Sequence, residues 1–324
     1  MDPWKRQFIR DLFPYSASRV QMERAFLAKH PHIPTSLYKY REFSSNHIDA
    51  LKKNVLWMSS PDRFNDPYDT TIHFDPNRFL VEDQSLEEFM ASLEELERNA
   101  KAAAAWQPRN IVRPVRSGDW RRKISEDMLK SYPVSERDQI SEVLGGLLKK
   151  QHNDMIMAMG VFFRNNYSVL SLSESYSSVL MWSHYSNSHK GFVIEYDFSK
   201  LGYHDLRKRL CFPVFYTRKP RDATRYMALT NVSEFNIFFG QLMCLIKKDE
   251  WTYEREWRIV HAIGAPYANS ELRMPKPSAV LLGTDVSSND ESMMRDMCRM
   301  RAIPLKKMVR QSSTYDLGAV DLPI

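Results

Sequence analysis

The stretch from Trp251 to Val260 carries two carboxylates, Glu254 and Glu256, two residues apart at the mouth of an apolar run. On an extended backbone successive side chains alternate between faces. Glu254, Glu256 and Arg258 then share one face, and Tyr253, Arg255 and Trp257 take the other. Two like charges in one small patch oppose each other's ionisation, so one carboxyl is expected to titrate high unless Arg258 or Arg255 neutralises the pair. A carboxyl raised in this way serves as an acid or as a hydrogen-bonding partner for a reacting hydroxyl. The plainer reading is a strand end laced with solvated ion pairs.

Three further polar clusters fall at strand ends or in loops. Tyr38, Tyr40 and Arg41 end an alternating segment in a guanidinium suited to a bidentate grip on phosphate, or in an ordinary surface arginine. Asn65, Asp66 and Asp69 lie in a loop dense in turn formers, where their oxygens either face a ligand or metal or bond their own backbone. Ser171 and Ser173 project to one side of a strand, and Trp182, His184, Tyr185, His189 and Lys190 crowd the helix and turn that follow. Aromatic plates with hydroxyls and a histidine suit a flat heterocycle held by stacking and hydrogen bonds; the alternative is an aromatic packing corner. No Gly-x-Ser-x-Gly elbow supports a serine hydrolase. His184 and His189 stand five apart without a cysteine or His-Glu partner motif, so no metal site is assigned.

The elements that must position these groups follow from periodicity and composition. With 324 residues, 43% of them apolar, the chain can bury a sizeable core. A formal charge of +6 is too small and scattered to argue nucleic-acid binding alone, though it favours an anionic ligand. Three dispersed cysteines fit reduced core thiols. No signal-peptide pattern and no run of eighteen apolar residues is seen, and a cytoplasmic, membrane-free protein is expected. A Gly-rich phosphate loop is also missing, so any nucleotide must be held by another device.

Helical periodicity is expected up to about residue 30, with a lead-in over 1–35. Strands follow at 36–41 and 55–58 around a helix capped by Asn46 and running to Lys53. Helical patterns at 83–105, 120–131 and 135–164 make an insertion spanning about 80–165. Strands return at 167–173, 191–197, 211–216, 258–262 and 279–282. Helices are expected at 178–185, 221–248 and 288–301. The reading is α+β: a single domain over 36–310 with a mixed or antiparallel sheet, then a tail over 311–324.

In order, the phrases Tyr38–Arg41, Trp57–Asp69, Ser171–Glu174, Met181–Tyr185, Lys190–Asp197 and Trp251–Val260 resemble the bacterial family labelled domain of unknown function 2971, over about 36–285. More distantly, Arg41, Ser171 with Ser173, and Glu254 with Glu256 resemble the chain order of the arginine-type ADP-ribosyltransferases: an Arg on the first core strand, a Ser-x-Ser strand, and a Glu-x-Glu element. That resemblance implies a split sheet and NAD as substrate, with Arg41 on its phosphate and Ser171 orienting the nicotinamide ribose. It further implies Glu256 on the ribose hydroxyl and the oxocarbenium-like transition state, Glu254 on the acceptor, and Trp182 or Tyr185 stacked on nicotinamide. Here the middle residue of Ser-x-Ser is Leu172 and the insertion is long. The activity implied is transfer of ADP-ribose to a protein or nucleic-acid acceptor, or NAD glycohydrolysis, in a toxin-like or antiphage effector. Two alternatives stay open: a non-catalytic module binding a nucleotide or partner, and a metal-dependent nuclease or phosphodiesterase using Asp66, Asp69, Glu195, Asp197 and the Glu254/Glu256 pair.

Overall fold

Period-two burial starts where the sequence alternates: Leu37 is fully buried between partly exposed neighbours in β1 (Ser36–Arg41). The computed structural model describes residues 1–71, 73, 133–139, 165–227, 236–262 and 271–324, with single positions at 150, 154, 157 and 161. Before β1 come α1 (Pro3–Leu12) and α2 (Met22–Lys29). After it follow α3 (Ser45–Lys53), β2 (Val55–Trp57), β3 (Tyr167–Ser173), α4 (Val179–Tyr185) and β4 (Phe192–Asp197). Then come β5 (Cys211–Pro213), β6 (Phe215–Thr217), β7 (Ile246–Lys248), β8 (Glu256–Ala262) and β9 (Glu271–Arg273). The last elements are β10 (Ala279–Leu282), α5 (Ser288–Arg301), β11 (Leu305–Arg310) and β12 (Leu317–Leu322).

The architecture is α+β, as expected. An eight-stranded sheet runs β12-β11-β10-β4-β1-β3-β8-β5 and is antiparallel except between β10 and β11; β2-β9 and β6-β7 are separate two-stranded pairs. β1 pairs with β4 over six residues and β3 with β8 over seven, yet β1 meets β3 only at Tyr38–Ser173. The sheet is therefore split between β1 and β3.

On one face, Leu37, Leu170, Leu172, Trp257 and Ile259 pack with Ile48 and Leu51 of α3 and Met294 and Met297 of α5. The other face carries two separate apolar patches. Val169, Phe212 and Val260 bury Phe8 and Leu12 of α1, while Tyr40, Val193 and Leu281 bury Trp182 of α4. Ser171, Ser173, Glu256 and Arg258 lie between those patches, by strand alternation and by the register pairs Ser171–Arg258 and Ser173–Glu256. No helix among the described residues is long and apolar enough to cross a membrane.

Several local expectations change. The cap of α3 is Ser44, whose Oγ accepts the His47 N–H, rather than Asn46. The strand expected at 211–216 breaks at Val214, whose N–H goes to the Glu256 carbonyl. Among the described residues of 221–248, helix is limited to the turns Thr224–Met227 and Phe239–Met243, and Ile246–Lys248 is a strand; 228–235 lie outside the described residues. The apolar run Leu242, Leu245 and Ile246 fits either period, and parallel pairing with β6 decides it. β9, β11 and β12 were not anticipated. The helices expected at 83–105, 120–131 and 135–164 lie outside the described residues, apart from a single turn at Val134–Glu136 and a few scattered positions.

Candidate functional site

The split opens into a cleft of about 640 Å³ bordered by residues of both sheet faces. Its walls include Lys39 and Arg41 from β1, Ser171 and Ser173 from β3, Tyr185 from α4, Lys247 from β7, Glu256 and Arg258 from β8, and Asn65 and Asp69 from the loop after β2.

Glu254 does not arrive by strand alternation. Asp249–Glu254 forms 3-10 turns and Arg255 is left-handed (φ 46°, ψ 53°), so β8 begins only at Glu256. The turn nevertheless swings Glu254 onto the same cation as Glu256. The Lys247 ammonium donates to Glu254 Oε2 at 2.5 Å and to Glu256 Oε2 at 3.3 Å, and sits 3.9 Å from Asp69. Arg258 spans the other side: its Nε and one terminal nitrogen reach both Glu256 oxygens at 2.9 Å, and its terminal nitrogens take both Asp69 oxygens at 2.8 and 2.6 Å. A further bond runs to the Cys244 carbonyl at 2.6 Å. All five side chains of this network are buried.

The two carboxyls are pushed apart. Burial raises Glu254, and the Glu256 charge adds to it; Lys247 and the Tyr185 hydroxyl, which donates to Oε1 at 2.6 Å, offset this only in part. Burial would also raise Glu256, but the charges of Arg258 and Lys247, with hydrogen bonds from Arg258 and Ser171, hold it below the usual carboxylate range. Glu256 is thus held as the anion, and Glu254 is the carboxyl of the pair that keeps its proton to higher pH. Burial and the Glu254 charge hold the Tyr185 phenol protonated.

At the split, Lys39 donates to the Ser171 carbonyl at 2.7 Å, a backbone acceptor that β1 does not reach. Burial and the nearby Arg41 depress its ammonium pKa strongly. Arg41 is partly buried, has no hydrogen bond or ion pair among the described residues, and is lowered by burial to about 10.

The expected site residues divide accordingly. Arg41, Asn65, Ser171, Ser173, His184, Tyr185, Glu254 and Glu256 all border one cleft. Asn65 donates to the Tyr185 hydroxyl at 3.2 Å, and His184 is exposed at the rim, edge-on to Tyr185. Ser173 is committed to structure, donating to the Glu254 carbonyl at 2.7 Å and accepting the Ser175 N–H. Tyr40 touches the cleft, but its hydroxyl donates to the Ser175 carbonyl and its ring packs edge-on against Trp182.

Two assignments are corrected. Trp182 is fully buried, outside the cleft walls, with its indole N–H on the Tyr176 carbonyl, so it has no free face for a ligand. Asp66 also lies outside the walls and accepts the Tyr68 N–H, the Asx-turn alternative. The carboxylates of the metal-dependent reading do not come together as a set: Glu195 accepts from Ser36 and Asp197 accepts the Ser199 N–H, whereas Asp69, Glu254 and Glu256 do meet but are spanned by Lys247 and Arg258. Lys247 was missed altogether, because its segment read as helix; a strand there is the signal that would have found it.

No curated protein and no solved structure matches the chain. Residues 181–259, which hold Tyr185, Lys247, Glu254, Glu256 and Arg258, match the model of the family described as Protein of unknown function (DUF2971), the family that the motifs resemble.

Proposed function

We propose that the cleft binds NAD and cleaves its nicotinamide–ribose bond, passing ADP-ribose to a protein or nucleic-acid acceptor or to water. The observation that carries this reading is the meeting of Arg41, Ser171, Tyr185, Glu254 and Glu256 around one cleft at the split of the sheet. Glycosidic cleavage develops positive charge on the ribose, and a buried carboxylate kept ionised by Arg258 and Lys247 opposes it without reorganising. Glu254, with its raised pKa, accepts the proton of the attacking hydroxyl. Ser171 borders the ribose position, and Arg41, free of internal partners among the described residues, takes a phosphate. Tyr185, rather than the buried Trp182, supplies the aromatic wall.

The test is incubation of purified protein with NAD and chromatographic detection of nicotinamide, beside Glu256→Gln checked for an unchanged melting profile. Release that disappears in the variant is the expected result. Equal release from both proteins would overturn the assignment of Glu256, and no release in the presence of candidate acceptors would overturn the reading.

A further inference from the structure

The α3 side of the cleft holds a second polar arrangement that the carboxylate chemistry does not use. Lys39 and Arg41 stand at i and i+2 of β1 and so project to the same side. Lys39 donates once, to the Ser171 carbonyl, and neither side chain has a carboxylate within ion-pair distance among the described residues. His47, in the first turn of α3, borders the same space; burial, then the charges of Arg41 and Lys39, disfavour its protonation. Cations crowded together repel one another; the Glu256 and Glu254 charges offset burial and the Arg41 charge at Lys39 only in part, and a bound anion relieves the rest. Trp57 also lines the cleft, and 43% of its surface is exposed although it sits in a paired strand, β2. An indole left open in a cleft is a stacking plate for a flat ring.

We infer that Lys39 and Arg41 form a two-point clamp for a diphosphate, with Trp57 as the plate for the attached base, so that this part of the cleft selects nucleoside diphosphate groups over monophosphates. The inference deepens the NAD reading of the same cleft, but it concerns binding alone and is tested with a ligand that carries no nicotinamide. Two phosphates engage both cations, whereas a monophosphate leaves one uncompensated. Each charge-assisted contact strengthens binding about tenfold or more.

The experiment is calorimetric titration of the full chain with ADP, AMP, adenosine and inorganic pyrophosphate, with ADP repeated on Lys39→Met, Lys39→Arg and Trp57→Leu. ADP is expected to bind at least about tenfold more tightly than AMP. Lys39→Met should abolish that preference, Lys39→Arg should retain most of it, and Trp57→Leu should weaken ADP while sparing pyrophosphate. Equal affinity of the wild-type protein for ADP and AMP would overturn the clamp, whatever the folding of the variants. Pyrophosphate weakened by Trp57→Leu as much as ADP would overturn the plate. ADP selectivity without nicotinamide release would keep the clamp and refute the NAD-cleaving reading.

Discussion

Lys247→Met isolates the logic of the buried network. The wild-type cluster sets three carboxylates, Asp69, Glu254 and Glu256, against two cations, Lys247 and Arg258. Methionine fills similar volume but leaves Arg258 alone to face all three acids. Removing one partner of a buried ion pair costs about 3–5 kcal/mol, because the remaining charge is stranded. For 324 residues at about 2 cal/mol/K per residue, the unfolding entropy is about 0.7 kcal/mol/K, so the melting temperature should fall by about 4–7 °C. The loss must depend on pH. Glu254 is already raised above its ordinary value of 4.5, and without Lys247 it rises further. An acid whose folded pKa lies above its unfolded one costs nothing below the unfolded value, and its penalty grows as pH climbs from there through the folded value. Calorimetric melting should therefore show a larger deficit at pH 8 than at pH 5, and Glu254→Gln added to Lys247→Met should recover much of the pH 8 loss. A deficit equal at both pH values, or no recovery in the double variant, would refute the account of Glu254 as the carboxyl that this lysine restrains.

Three further outcomes follow from the same structure. Asp69→Asn removes the bidentate partner of Arg258 and should destabilise by about 3 kcal/mol in urea titration; a change under about 1 kcal/mol would mean that Glu256 and the Cys244 carbonyl suffice. Ala302 ends α5 in the left-handed region (φ 46°), so Ala302→Gly should stabilise by about 1 kcal/mol, read as a higher urea midpoint at unchanged slope. If Glu254 is the base, NAD cleavage should rise with pH through an apparent pKa above 4.5, and Glu254→Gln should lower the rate about a hundredfold or more and flatten that limb.

Much of this was legible where one period fits one element. Alternation placed β1 and β3 at their observed bounds, and the helical pattern at 288–301 matches α5. The convergence of Glu254 with Glu256 was also readable, but for the wrong reason. An extended backbone was assumed through Arg255, whereas a left-handed residue there turns Glu254 inward, and nothing in an arginine announces a positive φ. Trp182 failed as a ligand plate because an aromatic residue beside a hydroxyl-rich strand fits a core and a binding site equally well, and only burial separates them. Lys247 stayed hidden because its helix-like neighbourhood masked a three-residue strand fixed by pairing with β6, a tertiary constraint that no local window contains.

The split sheet itself demands part of this polarity, which separates the groups required by the fold from those left over. Parting β1 from β3 removes ladder partners, and each orphaned buried backbone group would cost about 1–3 kcal/mol. Lys39 answers the Ser171 carbonyl, and Ser59 exchanges both backbone hydrogen bonds with Val169. Lys247 and Arg258 likewise neutralise acids within the network, so their burial is explained without any ligand. Arg41 satisfies no such group: its guanidinium borders the cleft beside a second cation and has no hydrogen bond or ion pair among the described residues. Holding a half-buried charge without a partner opposes folding, and a fold that only needed to close its split would be more stable with an apolar residue at that position. Arg41 is therefore the residue whose presence the closing of the split leaves unaccounted for, and the proposed diphosphate would supply the missing charge.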